Sequence, residues 1–228
     1  LEQLVQTGFA LLQQGQTRQS IDTFRLATKK DPKSIQAFVG LASACTAGKQ
    51  YQDAVEAYRA ALDLNPNAPE IYYNLAMALL EVDKFQEARN LLGRAIGINE
   101  TDVRLRLGIA ETYRREKDLI RAREAYQRAI GFAVGNPAAY NGLGNLNLQE
   151  NRFQEALDCF DASIQINADE LEAQLGRSAA LSGLERHAEA IDAAQKVLLR
   201  TPNLPFGYTA LGGAYEAKKD RKSTRLNS

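Results

Sequence analysis

The phrase FQEALDCF at residues 153–160 has relatives in YQDAVEAY (51–58) and FQEARNLL (85–92), so one pattern returns at intervals of 34 and 68 residues. A fixed period of that length constrains the fold more than any composition figure, because it means one supersecondary unit copied and stacked on itself. Comparison of the chain with itself at a spacing of 34 aligns almost all of it without gaps. The units begin at residues 1, 35, 69, 103, 137, 171 and 205, six of them complete and the seventh cut.

Numbered within each unit, three positions are nearly always small. Position 8 reads Gly8, Ala42, Ala76, Ala110, Gly144, Ser178 and Gly212. Position 20 reads Ser20, Ala54, Ala88, Ala122, Ala156 and Ala190, and position 27 reads Ala27, Ala61, Ala95, Ala129, Ser163 and Val197. Two antiparallel helices approach closely only where one side is almost bare and large side chains fill the gaps beside it. The large side chains are present at position 24 (Phe24, Tyr58, Leu92, Tyr126, Phe160, then Ala194) and at position 7 (Leu41, Leu75, Ile109, Leu143, Leu211). The sixth unit, with Gln174, Arg177 and Ala194 at expected large apolar sites, is the poorest match and is expected to be the loosest packed.

Small residues at 8, 20 and 27, large apolar ones at 7 and 24, and proline at position 32 in Pro32, Pro66 and Pro202 resemble the tetratricopeptide repeat, over residues 1 to about 219. The resemblance implies an all-α fold. Each unit becomes helix A (positions 2 to 14), a tight turn and helix B (18 to 31), and units stack into a right-handed superhelical solenoid with A helices on the inner wall. Within helix B, Tyr51, Phe85 and Phe153 at position 17 seat the turn, and Asp53, Glu87, Glu155 and Glu189 favour a helix N-terminus.

The 28 basic and 28 acidic residues cancel, so the chain lacks the electrostatic footprint of a nucleic-acid or anionic-membrane binder. No apolar run reaches the roughly 20 residues of a membrane span and no secretory signal is evident. A soluble protein is expected, in the cytoplasm rather than the periplasm. The last nine residues, DRKSTRLNS (220–228), resemble the translation of a sequencing-adapter oligonucleotide and are set aside; without them 25 basic and 27 acidic residues remain.

No catalytic constellation emerges. Cys45 and Cys159 lie in apolar helical surroundings as small hydrophobes. The single histidine, His187, occupies position 17, where sibling units carry Tyr, Phe or Leu. The glycines of NGLGN (141–145) follow no strand and fall at repeat positions, so they are not a nucleotide-binding fingerprint. Neither a cofactor nor a metal is expected, and the chain is expected not to be an enzyme.

Function is therefore sought on the inner wall that the resemblance implies. There, positions on the A helices collect Tyr73, Asn74, Met77, Arg104, Leu107, Glu111, Arg114, Asn141 and Asn145. Aromatic and Met anchors among Arg and Asn suit a peptide or helical segment of a partner protein. Glycine recurs at position 6 (Gly40, Gly108, Gly142, Gly176), against helix propensity. One reading has Gly108 and Gly142 leave the groove floor open to a ligand's main chain; the other has them serve tight contact between successive helices. Some relatives clamp acidic chaperone C-termini, but of that residue set only Asn74 and, by charge, Arg104 agree here, so that partner is not expected. The alternative function is a docking region of a larger enzyme, such as a glycosyltransferase or kinase. Self-association through the apolar face of FGYTALGGAYEA (206–217) is a further expectation.

Overall fold

The computed structural model describes the backbone of residues 1–226 and the side chains of residues 1–205 and 207–216. Among the described residues there is no β-strand. The helices are α1 (Glu2–Gln13), α2 (Thr17–Lys30), α3 (Ile35–Ala47), α4 (Tyr51–Leu64), α5 (Pro69–Leu80), α6 (Phe85–Ile98), α7 (Val103–Arg115), α8 (Leu119–Phe132), α9 (Pro137–Gln149), α10 (Phe153–Ile166), α11 (Leu171–Gly183), α12 (His187–Arg200) and α13 (Pro205–Leu226). The chain forms two compact units, Leu1–Asp118 and a second beginning at Leu119. Within each, consecutive helices pack on one another. The side chains of the adapter-like segment at 220–228 lie outside the described residues.

The turn between the two helices of a pair has one construction throughout. The residue at position 15 is left-handed in every case: Gly15 (φ 74°), Lys49 (58°), Asp83 (57°), Lys117 (65°), Asn151 (58°) and Glu185 (59°). The amide of position 16 donates back to the carbonyl of position 11, as Gln16 to Leu11, Gln50 to Cys45 and Arg186 to Leu181, all within 2.8–2.9 Å. This is a Schellman closure, which satisfies carbonyls that the helix end leaves free. It places position 16 as the N-cap and starts helix B at position 17, one residue earlier than expected, so the aromatic residues there are the first helical residues. Only the first turn has glycine at the left-handed position. Glu185→Gly is therefore expected to relieve a left-handed cost of about 1 kcal/mol and raise the melting temperature by about 2 °C, read by thermal circular dichroism.

Between pairs the chain leaves helix B through an Asx turn. Side-chain oxygens of Asp31, Asn65, Asn99 and Asn167 accept from the amides of Lys33, Asn67, Thr101 and Asp169. The next helix is capped at position 34 by the short acceptor side chains of Ser34, Asp102 and Asn136, whereas Glu170 at the same position makes no side-chain cap bond.

The small residues sit where steric argument demands them. Every described residue at positions 20 and 27 of the six complete units is buried, as is position 8 from Gly8 to Ser178. The approach at the crossing of positions 8 and 20 is close enough for a hydroxyl to bridge the two helices. Ser20 Oγ donates to the Gly8 carbonyl and Ser178 Oγ to the Ala190 carbonyl, each at 2.8 Å.

The position-6 glycines meet the large side chain at position 24 of the preceding unit. A methyl on Gly40 would lie 2.2 Å from Phe24, on Gly142 2.2 Å from Tyr126, on Gly176 2.3 Å from Phe160, and on Gly108 3.1 Å from Leu92. Phe24 and Phe160 also face the position-8 glycine of their own unit, Gly8 and Gly144, at 2.7 and 2.8 Å. Each ring is thus held between two bare helix surfaces. These distances favour the tight-contact reading of Gly108 and Gly142 over the groove-floor one: the missing Cβ makes room for a packed side chain, and the cost in helix propensity is offset by that contact.

Ion pairs tie neighbouring pairs together along their surfaces. Arg89 reaches Glu116 at 2.5 Å with its guanidinium 4.4 Å from the Tyr113 ring, and Arg123 reaches both Asn147 (2.6 Å) and Glu150. Arg25 bonds Asp53 at 2.9 Å and Arg59 bonds Glu87. The position-19 acids at Asp53 and Glu87 therefore bind the preceding B helix besides favouring their own N-terminus. At Glu155 and Glu189 the partner is instead the adjacent N-cap arginine, Arg152 or Arg186.

Candidate partner-binding face

In the first unit, α5 and α7 lie side by side and present a mixed surface. Tyr73, Asn74 and Met77 on α5 are half-buried, as are Leu107, Glu111 and Arg114 on α7, while Arg104 is exposed. The Arg104 guanidinium lies 5.7 Å from the Tyr73 ring centroid, within cation–π range, and the Met77 methyl stands 3.3 Å from where a side chain on Gly108 would begin. These contacts put the aromatic, the thioether and the cation on one face.

The cations of this face are oriented by carboxylates. Arg104 donates to Asp102 through Nε at 3.0 Å and Nη2 at 2.6 Å, and Asp102 also caps α7 by accepting from the Arg104 amide at 3.0 Å. The guanidinium hydrogen bond, foremost, holds the Asp102 carboxyl below its ordinary range. Arg114 makes a two-pronged bond to Glu111, at 2.7 and 2.5 Å. Pre-orientation of this kind lowers the side-chain entropy lost when a ligand binds.

In the second unit the A-helix residues are arranged differently. Asn145 on α9 is half-buried and donates to Glu172 of α11 at 2.8 Å. Asn141 is only 2% exposed, and neither atom of its carboxamide has a hydrogen-bond partner. Gly142 is half-buried, with its Cβ direction taken up by Tyr126.

The chemically reactive side chains are embedded. Cys45 is fully buried, and burial, more than the nearby Asp53, pushes its thiol up to about 11. Cys159 is half-buried against Asn147, its thiol also raised chiefly by desolvation. Because the thiolate is the reactive form, Cys45 is expected to resist alkylation by iodoacetamide at pH 8 in the folded protein and to react once urea is added, as read by mass spectrometry. His187 is 8% exposed at the start of α12, with Nδ1 unpartnered. Among the described residues, no three His, Cys, Asp or Glu side chains are grouped to hold a metal ion, and no helix is long and apolar enough to cross a membrane.

One concavity falls outside the A-helix surface that the sequence singled out. It is lined by α10, α11 and α12 and measures about 720 Å³. The available signal was the set of departures in the sixth unit, which reads as loose packing until the side chains around it are placed.

Paired helices of constant length, turns of one construction and bare crossings at fixed positions define an α-helical repeat protein. Tetratricopeptide-repeat profiles match residues 4–34, 42–83, 79–146 and 141–207. The chain belongs to the tetratricopeptide repeat family, with roughly seven repeats.

Its fold is similar to that of a tetratricopeptide repeat protein from Parabacteroides merdae, at TM-score 0.76 and 17% identity over 93% of this chain and 83% of the other. It is similar to a chain of the Cut9–Hcn1 hetero-tetramer of the APC/C at TM-score 0.67 and 16% identity, where 92% of this chain spans 42% of that one. It is also similar to YrrB, a tetratricopeptide repeat protein with an unusual peptide-binding site, at TM-score 0.54 and 19% identity over 75% of this chain and 88% of the other. No curated protein sequence matches the chain.

Proposed function

We propose that the chain is a non-catalytic protein-interaction scaffold that holds a peptide or helical segment of a partner against its A-helix face. The observation that carries this reading is the α5/α7 surface, where the half-buried Tyr73, Met77 and Leu107 sit beside a fixed Arg104. Large side chains that remain partly open beside oriented cations are the composition of interface hot spots. Asn74, half-buried on the same face, supplies an amide for a ligand's main chain. The likeness to YrrB, described as having a peptide-binding site, and to a chain of the Cut9–Hcn1 hetero-tetramer is consistent with a protein partner.

The test uses peptides selected from a random library on the intact protein. Tyr73→Ala and Arg104→Ala are each expected to weaken them by about tenfold with little change in melting temperature, since neither side chain is fully buried. Equal affinity for both variants and the parent overturns the assignment of this face.

Self-association through α13 is the second reading, favoured by one observation. Gly212 is exposed although position 8 is buried from Gly8 to Ser178, and Tyr208 and Tyr215 on the same helix are exposed as well. Sedimentation is expected to show a mass that rises with protein concentration; a constant monomer mass removes the reading.

A further inference from the structure

The cavity between α10, α11 and α12 arises where the repeat departs from its own pattern. A cleft of about 350 Å³ between α2, α3 and α4 of the first unit shares four repeat positions with it, Phe38 at position 4 and Leu41 at position 7 among them. In the second unit those two positions carry the polar Gln174 and Arg177, which line a concavity of about 720 Å³. Both side chains are drawn to its edges. Gln174 bonds back to the Ala168 carbonyl, and Arg177 Nε bonds Asp161 at 2.6 Å. What they leave is an apolar floor of Ile164 and Ala193, with Leu199, 81% exposed, beside it.

Three cations line this cavity, Arg177, Lys196 and Arg200, against the single carboxylate of Asp161. Lys196 and Arg200 are paired with Asp192 and Asp169, which are outside the lining and well exposed. Exposed pairs of this kind are worth little, so either cation can exchange its partner for a ligand's anionic group. A volume of several hundred cubic ångströms with an apolar floor and a few charged groups at the edge is the layout of a small-molecule site.

We propose that this cavity binds a small anionic amphiphile, a carboxylate on an aliphatic body of about ten carbons. The carboxylate sits on Lys196 and Arg200, and the chain lies over Ile164 and Ala193 beneath Leu199. The site is built mainly from B helices and is separate from the A-helix face proposed for a protein partner.

Decanoate tests this by isothermal titration and by chemical-shift changes on α10–α12, with decanol as the uncharged control. The protein is expected to bind decanoate at least tenfold more tightly than decanol. Gln174→Phe with Arg177→Leu, which installs the apolar side chains that Phe38 and Leu41 supply at positions 4 and 7 of the second repeat, is expected to abolish binding without lowering the melting temperature. Lys196→Gln with Arg200→Gln is expected to reduce decanoate to the affinity of decanol. The proposal is overturned if decanoate fails to bind below millimolar concentration or if the refilled variant binds it equally. A response to an acidic amphipathic peptide with none to decanoate also overturns it, and makes the cleft a protein-docking site instead.

Discussion

Replacing Phe160 with alanine is expected to cost about 3–5 kcal/mol and to expose the amides of α9, α10 and α11 to rapid hydrogen exchange. The ring is fully buried, and the surfaces on its two sides are Gly144 and Gly176, whose missing side chains leave nothing to move into the void. A cavity that neighbours cannot refill places the loss toward the upper end of that range. Because stability in a stacked repeat is a sum of local and neighbour terms, residue-resolved exchange is a sharper readout than a single midpoint. A loss below about 1 kcal/mol means that the ring is not the element joining the two A helices.

The second large effect is expected from adding bulk rather than removing it. Ala156 is fully buried at position 20 of α10, which packs on α9. At the equivalent crossing in the next pair a serine hydroxyl spans the two backbones at 2.8 Å, so no space exists for three further carbons. Ala156→Leu is expected to force the helices apart and cost about 3 kcal/mol, at the top of the ordinary range for overpacking. Gln154→Leu, two residues away on the exposed surface, is the matched control and is expected to change stability by no more than about 0.5 kcal/mol. Similar behaviour of the two variants in urea unfolding contradicts the packing assignment.

The architecture was legible because helix crossings impose a limit on size, and a size limit repeated at fixed spacing survives in a single sequence. Ala54, Ala88, Ala122, Ala156 and Ala190 report it without reference to coordinates. The glycines at position 6 were harder to read. Their partners are 16 residues earlier, as in Phe24 with Gly40 and Phe160 with Gly176, and only the coordinates show which side chain occupies the space. The left-handed turns were hidden for a different reason. Lysine, aspartate, asparagine and glutamate accept that conformation at five of the six turns, so the usual glycine signal is missing.

The candidate face was legible in part. Residue types at one helical spacing singled out Tyr73, Met77 and Arg104; Arg104 lies over the Tyr73 ring, and Met77 of the same α5 meets Gly108 of α7. The carboxylates that orient Arg104 and Arg114 were not anticipated, because a surface ion pair depends on rotamers rather than on position alone. Asn141 was expected on an open wall and is instead covered. The cavity in the second unit announced itself only as Gln174 and Arg177 in the wrong places, a pattern that gives looseness but not shape.

Glycine makes room for the ring of the preceding helix pair, and a matched pair of substitutions tests that most directly. Gly176 and Gly93 both lie inside helices, but a methyl on Gly176 meets Phe160 at 2.3 Å, whereas one on Gly93 meets nothing within 4 Å. Thermal unfolding of Gly93→Ala is expected to show a gain approaching 1 kcal/mol from helix propensity, and Gly176→Ala a net loss of about 1–2 kcal/mol. A gain in both variants contradicts the interlock.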